Sequence, residues 1–364
     1  MSIVNQISDA IGQLRSVGST DLVAIDIGLT SVKVVEVSMK DETRAKLTKF
    51  GMAPIPEGAI IEDEIQMPDE VVDAIKEALD DGKIKTKSAS LAFWGPNSTS
   101  KRLQVPDGTE QEVEDQVLWE SEQYIPFGVD ESKISHFVIG ENEGGALDVI
   151  MVAAREDVVQ NYQNLLADAG LTPKLVDLSV MCLNNIFEFS VGKNIELYND
   201  GTVIIEIGAQ ITRIVVYKFD GPIYSKELMM GGGIITEEIQ RQMGLNYEDA
   251  ENLKCYGDDS GNLPEEIMVI INSALETFMS EIKKSLNFFL TASTEDKIRH
   301  CFITGGTSLL PGIVEGLQGI LEIQVDELNP LTRFDYSERA LGKDKVEFLK
   351  SQGAVVLGLG LRQL

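Results

Sequence analysis

"VAIDIGLTSVKVVEV", residues 23–37, places an acid, a glycine and a short polar turn between two apolar runs. The alternating valines and isoleucines on either side predict two strands of one hairpin, at 22–28 and 32–38. Gly28, Thr30 and Ser31 are ordinary turn residues, and a hairpin alone accounts for them. A second reading includes Asp26. A buried strand running into a glycine turn delivers a carboxylate and several backbone N–H groups to one point. The amides there can cradle an anion while the acid holds a cation, directly or through water. Lys33 follows the turn, where it either adds positive charge or points outward from its strand.

The pattern returns later in the chain. "VIIEIGAQITRIVVY" (203–217) can be laid on 23–37 at a constant offset of 180 residues. Glu206 then falls on Asp26, Gly208 on Gly28, Arg213 on Lys33 and Val215 on Val35. An internal repeat at about half the length of a 364-residue chain suggests two similar domains facing each other. A third glycine turn lies in "CFITGGTSLLPGI" (301–313). There a buried strand runs into Gly305 and Gly306, and a helix is expected soon afterwards with Thr307 or Ser308 as its N-cap. Helix N-termini and glycine turns accept phosphate or the polar edge of a nucleotide. In "MMGGGIITEEI" (229–239), Gly231, Gly232 and Gly233 open a helix. "YEDAENLK" (247–254) sets Glu251 and Lys254 three apart on one helical face. Each piece alone is explained by a turn, a cap or a solvated ion pair. Five in this order point to a phosphate-binding cleft.

Composition limits the chemistry. The formal charge of −28, from 59 acids against 31 bases, repels polyanions, so nucleic acid and anionic lipid are poor partners. With only His136 and His300, histidine-based triads and metal sites are close to excluded. Cys182, Cys255 and Cys301 are far apart and in apolar surroundings, which fits reduced core thiols in a cytosolic protein. No run of 18 apolar residues exists to span a bilayer. The first twenty residues lack the form of a signal peptide. They place Ile3, Ile7, Ile11 and Leu14 on one helical face, for docking on the protein's own body or on a partner. Chemistry must then rest on carboxylates, amides, hydroxyls and a bound cofactor.

Between the repeats, a third strand is expected at 45–53 and a helix from Pro68 to Gly82 with Val71, Val72, Ile75 and Leu79 inward. Strands follow at 88–95 and 100–105, then a helix from 110 to 124. A hairpin at 134–140 and 146–153 precedes a helix at 156–169, a strand at 174–179 and a helix through 189.

In this order the motifs resemble the actin-like ATPase superfamily, which includes actin, heat-shock chaperones, sugar kinases and the cell-division protein FtsA. "DIGLTSVKV" is similar to the first phosphate loop, "EIGAQITRI" to the second, "ITGGTSLLPG" to the adenosine motif and "SQGAVVLGLGLR" (351–362) to the closing connecting helix. The resemblance implies an α/β fold of two similar lobes around a nucleotide cleft, with ATP or ADP and Mg2+ bound. Asp26, Gly28, Thr30, Ser31, Lys33, Gly208, Gly231, Gly232, Gly233, Glu251, Lys254, Gly305, Gly306 and Thr307 would hold the nucleotide, Asp26 and Glu206 the metal. Glu206 is also the candidate catalytic acid. The stretches 103–131 and 149–180, with "WESEQYIPF" (119–127), look closer still to the PilM family of type IV pilus assembly proteins.

That resemblance implies a first-lobe core of 1–97 with 170–198 and 345–364, and an FtsA-like inserted subdomain at 98–169. The second-lobe core would be 199–240 with 300–344, and its helical subdomain 241–299. It further implies a cytoplasmic ATP-binding scaffold tied to the inner membrane through the N-terminal cytoplasmic peptide of PilN, and working with platform and motor proteins. A strand edge near 134–140 or 147–153 would receive the peptide, while Trp119, Tyr124 and Phe127 would equally suit a subdomain core. Glu206 stands where relatives carry Asp, and Ser179 where hydrolytic relatives often place an acid. Nucleotide binding should survive both changes, and hydrolysis should be slow at most. A small-molecule kinase would need a substrate pocket with a base, and a filament former would sediment with ATP.

Overall fold

The computed structural model describes residues 22–362 apart from 62–63, 94, 143, 193–200, 219–220, 259 and 293–296. The apolar face expected within residues 1–20 lies outside the described residues.

The opening hairpin is formed by β1 (Val23–Ile27) and β2 (Ser31–Met39), which pair antiparallel. There follow β3 (Ala45–Pro54), the small hairpin β4 (Ile60–Ile61) and β5 (Glu64–Ile65), helix α1 (Pro68–Asp81) and β6 (Ser88–Phe93). Helix α1 begins on Pro68, whose missing N–H costs nothing in a first turn, and stops before Gly82. Val71, Val72, Ile75 and Leu79 are buried, as the 3.6-residue period requires. It lies directly on β3: a Cβ at Gly51 would sit 2.0 Å from the Ala78 carbonyl oxygen, so only glycine permits that approach.

An insert follows, comprising β7 (Ser98–Pro106), α2 (Glu110–Ser121), β8 (Ser132–Glu141) and β9 (Ala146–Arg155). Its strands form a separate antiparallel sheet in the order β7-β9-β8. A small core of its own joins Leu103, Val105, Val149, Met151 and Ala153 to Val113 and Val117 of α2. Thr109 and Glu112 close a reciprocal capping box at the start of α2. The chain returns to the first lobe through α3 (Glu156–Asp168), β10 (Thr172–Leu178) and α4 (Ser179–Val191).

The second lobe comprises β11 (Gly201–Ile207), β12 (Thr212–Lys218), β13 (Gly221–Leu228), α5 (Gly232–Met243), α6 (Tyr247–Tyr256), α7 (Glu265–Ala292), β14 (Ile298–Thr304), α8 (Ile313–Leu321) and β15 (Gln324–Glu327). Finally β16 (Phe334–Asp335), α9 (Glu338–Leu341), α10 (Lys343–Gln352) and α11 (Ala354–Gly360) follow; β16 joins the first-lobe sheet beside β3 and α11 packs on that sheet.

The two large sheets share one plan. Strand order β6-β1-β2-β3 in the first matches β14-β11-β12-β13 in the second. In each, the hairpin's first strand runs parallel to the later strand beside it. The offset of 180 residues also holds in register, with Asp26 opposite Lys33 and Glu206 opposite Arg213. Even the turns agree: the Gly28 amide donates to the Ser31 carbonyl at 3.1 Å, and Gly208 to Ile211 at 3.0 Å.

Helix α4 joins the lobes. The ring of Phe187 meets Tyr217 edge-on at 5.0 Å and Phe302 at 5.5 Å, both in the second lobe. Beside it the Tyr217 hydroxyl donates to the Glu188 carboxylate. Burial pushes the Glu188 carboxyl up from its usual range, opposed by hydrogen bonds from Tyr217 and Asn184. Cys182 and Cys301 are buried, as expected, but Cys255 is exposed: its helix α6 turns only Ala250 and Lys254 inward.

Candidate functional site

A cleft of about 870 Å3 opens between the lobes. Its floor is the pair of hairpin turns, because β1 and β11 both end there. Asp26, Gly28, Thr30 and Lys33 line it from the first lobe, and Glu206 and Gly208 from the second. Gly233, Glu251, Lys254, Gly305, Gly306 and Thr307 complete the expected set that reaches it. Ser31, Gly231 and Gly232 do not line it. The Ser31 carbonyl is the acceptor that closes the first turn.

Lys33 is turned inward. It is 8% exposed, with Nζ 3.2 Å from Asp26 Oδ2. The second turn is bound more tightly. Arg213 donates from Nη1 to Glu206 at 2.8 Å and from Nε to Glu227 at 3.1 Å. The acid of each hairpin is thus matched by a base seven residues on. That pairing follows from the hairpin register, which sets the two side chains opposite each other on one face.

The glycine run of 231–233 has a different part from the one expected. The amides of Gly232 and Gly233 donate to the carbonyls of Gly208 and Ala209, at 3.0 and 2.6 Å. A Cβ at Gly231 would lie 2.4 Å from the Gly208 oxygen. The N-terminus of α5 therefore docks on the second turn and holds it in place, and these two orphan N–H groups are used internally.

Lys254 is likewise committed to the protein. It is 7% exposed and bonds Glu251 at 2.6 Å, Thr236 at 2.8 Å and the Gly232 carbonyl at 3.1 Å. Those three acceptors match the three donors of an ammonium. Burial pushes the Glu251 carboxyl up, but attraction to Lys254 and hydrogen bonds from Lys254, Thr236 and Cys255 bring it below its usual value.

The third glycine turn differs from its expected form. Thr307 and Ser308 do not cap a helix. Gly306–Leu309 is a single 3-10 turn, and α8 starts only at Ile313, preceded by Gly312 in the left-handed region. The strand β14 meets Gly305 at φ +98°, where a Cβ would be 2.3 Å from the Ile207 oxygen. The turn leans on α10 instead: the Gly305 amide and the Thr304 hydroxyl both donate to the Ser351 carbonyl, at 2.7 and 2.8 Å. Thr307 spans back to the Gly208 carbonyl at 2.9 Å. The second turn, the start of α5 and the third turn thus form one bonded unit.

Sequence reasoning missed part of the lining. Ile55, Glu57, Gly58 and Ile60 come from the segment between the expected strand at 45–53 and the helix at Pro68, and Tyr247, Glu237 and Gln352 also face the cleft. Burial raises the Tyr247 hydroxyl, and the carboxylates of Glu251, Glu57 and Glu237 add to the shift. The signal available was that Tyr247 opens the same helix as Glu251. Ser179, at the start of α4, also reaches the cleft and is 4% exposed.

The family description "Type IV pilus assembly protein PilM" matches residues 24–364. The chain belongs to the PilM family. A chain of the solved "PilM-PilN type IV pilus biogenesis complex" is 25% identical, with a TM-score of 0.81 over 95% of this chain and 99% of that one. The cell division protein FtsA of Bacillus subtilis is 23% identical over 352 residues, 85% of this chain and 78% of that protein. MreB 5 of Spiroplasma citri, solved bound to AMPPNP, shares the fold at 12% identity, with a TM-score of 0.50 over 94% and 95% of the two chains. The expected actin-like ATPase fold is therefore that of this PilM-family protein, and pilus assembly is the setting in which it belongs.

Proposed function

We propose that this PilM-family chain is a cytoplasmic scaffold of the type IV pilus inner-membrane platform, gated by adenine nucleotide. It would bind the N-terminal cytoplasmic segment of PilN and link it to the motor machinery. The observation that carries the reading is the likeness, along nearly the whole chain, to a chain of the solved PilM-PilN complex. No helix among the described residues is long and apolar enough to cross a membrane, which agrees with attachment through a partner.

The cleft residues fit a metal–nucleotide. Five carboxylates (Asp26, Glu57, Glu206, Glu237 and Glu251) and three bases (Lys33, Arg213 and Lys254) line it, and each base is already ion-paired. A polyphosphate alone would meet net negative charge, so a cation must accompany it. Mg2+ when bound supplies that neutralisation. Asp26 would hold it, with the turns at Gly28, Gly208 and Gly306 approaching the phosphates through backbone. Glu206 is the second candidate ligand, although Arg213 already occupies one of its oxygens. Ser179 offers a hydroxyl where a general base would need a carboxylate, so hydrolysis is at most slow.

The PilN segment would lie where the insert meets the first lobe. Strand β8 borders the insert's sheet with β9 as its one neighbour there, and an extended peptide can add to such an edge. The test is calorimetry with ATP, with and without Mg2+. Asp26→Ala is expected to weaken Mg2+-dependent ATP affinity by about tenfold or more, roughly 1.4 kcal/mol, while leaving PilN-peptide affinity intact. Unchanged ATP binding in that variant would sink the metal assignment. Failure to bind a PilN N-terminal peptide would sink the scaffold.

A further inference from the structure

The insert's helix has two faces, and only one of them packs on the protein. Val113, Val117 and Ser121 of α2 are buried. On the other side Trp119 is 59% exposed, with Leu118 at 38% and Tyr124, just past the helix, at 39%. Phe127 joins the insert's core, so that core is complete without Trp119. A large aromatic left in water on a helix with its own filled core marks a contact surface more than a packing need.

Charge says what covers it. Residues 107–131 carry nine acids, Asp107, Glu110, Glu112, Glu114, Asp115, Glu120, Glu122, Asp130 and Glu131, and no Lys, Arg or His. All but Glu120 are exposed. Asp115 and Glu120 are met by glutamine amides from Gln111, Gln116 and Gln123, and Glu112 by the helix cap. Among the described residues, a cation is brought over this face from the neighbouring strand: Lys101 Nζ stands 4.9 Å above the Tyr124 ring. Cation on aromatic beside carboxylates is the chemistry the face already accepts. Anionic lipid would be repelled by it, and so would a second copy of a chain with charge −28.

We propose that the outer face of α2, centred on Trp119, docks a lysine- or arginine-rich amphipathic segment of another protein, at a place separate from the PilN groove. Trp119 and Leu118 take the apolar stripe, and Glu114, Asp115 and Glu122 take the cations. The inference does not depend on nucleotide or on PilN.

The probe is a labelled synthetic lysine–leucine amphipathic helix, titrated against the full chain by fluorescence anisotropy at physiological salt. Trp119→Ala, which alters no charge and takes no side chain from the insert's core cluster, is expected to weaken binding by about tenfold or more, as loss of an aromatic anchor does. Glu114→Lys, Asp115→Lys and Glu122→Lys together are expected to abolish it. The matched set Glu64→Lys, Asp69→Lys and Glu70→Lys, exposed on the first lobe, is expected to leave it within about threefold. Equal weakening by both charge sets, or none by Trp119→Ala, overturns the proposal. So does displacement of the probe by the PilN peptide, which would make the two surfaces one. Three other occupants would also overturn it: a Trp119-dependent shift on anionic vesicles, Trp119-dependent self-association in sedimentation, or tenfold tighter probe binding once residues 1–21 are deleted.

Discussion

The hairpins at 23–39 and 201–218 have the same register, the same turn hydrogen bond and the same acid–base pairing, yet they hold their bases differently. Lys33 meets the single carboxylate of Asp26, whereas Arg213 lies between Glu206 and Glu227. The third strand makes the difference. Arg213 pairs in register with Glu227 on β13, while Lys33 faces Met52 on β3. A guanidinium bridging two acids is fixed; an ammonium with one partner can exchange it when a cation reaches that carboxylate. Of two duplicated turns, the second is therefore built as scaffold and the first as the responsive side.

The comparison breaks most clearly if its bases are removed. Arg213→Met strands two carboxylates with little solvent, and is expected to cost about 2–3 kcal/mol in urea unfolding. Lys33→Met strands one, and about 1–2 kcal/mol is expected. Equal costs would erase the distinction between scaffold and responsive side. The turns offer a finer test. A Cβ at Gly208 would sit 2.9 Å from the Ile211 oxygen, against 3.3 Å from the Ser31 oxygen at Gly28. Gly208→Ala is expected to lower stability by about 1–2 kcal/mol and Gly28→Ala by less than about 1; the reverse order would show that the first turn is the stiffer one.

The smallest effect concerns the joint between lobes. Glu188 titrates above its usual value of 4.5 because burial favours its neutral form. The folded state then binds more protons than the unfolded one. Its contribution is complete below about 4.5 and is lost as pH rises through the higher folded value. Thermal melts of Glu188→Gln against the parent are expected to converge at acid pH and to separate in the variant's favour as pH rises. Parallel melting curves across that range would remove Glu188 from the joint's energetics.

Much of this was legible in residue order. The hairpins, the repeat and the helix at Pro68 rest on periodicities that a backbone must obey, and the offset of 180 survived as register. What misled was glycine. The resemblance set Gly231, Gly232 and Gly233 at the nucleotide, but glycine signals close backbone approach to anything; here their neighbours include the carbonyls of Gly208 and Ala209, and only Gly233 also lines the cleft. Thr307 had the right chemistry for a cap and was claimed by the Gly208 carbonyl in the turn after β11, which only the assembled sheet could supply. Glu57 carries no local pattern at all; it faces the cleft because the Ile55 amide bonds back to the Thr30 carbonyl. Trp119 looked equally suited to a core, and its exposure depended on how few residues were enough to fill that core.

Helix α11 lies against β1, β2, β6 and α4, with Ala354 to Leu359 all buried. A Cβ at Gly358 would stand 2.0 Å from the Cys182 carbonyl, so the helices touch through their backbones. The first strand of the described chain and its last helix thus share one core. A ribosome making the protein emits β1 more than three hundred residues before the helix that covers it. The second lobe, contiguous from β11 to β15, ends at Glu327, before that helix begins at Ala354. The lobe begun first is the lobe finished last, and its sheet must stay unsealed while its twin already has its complete core.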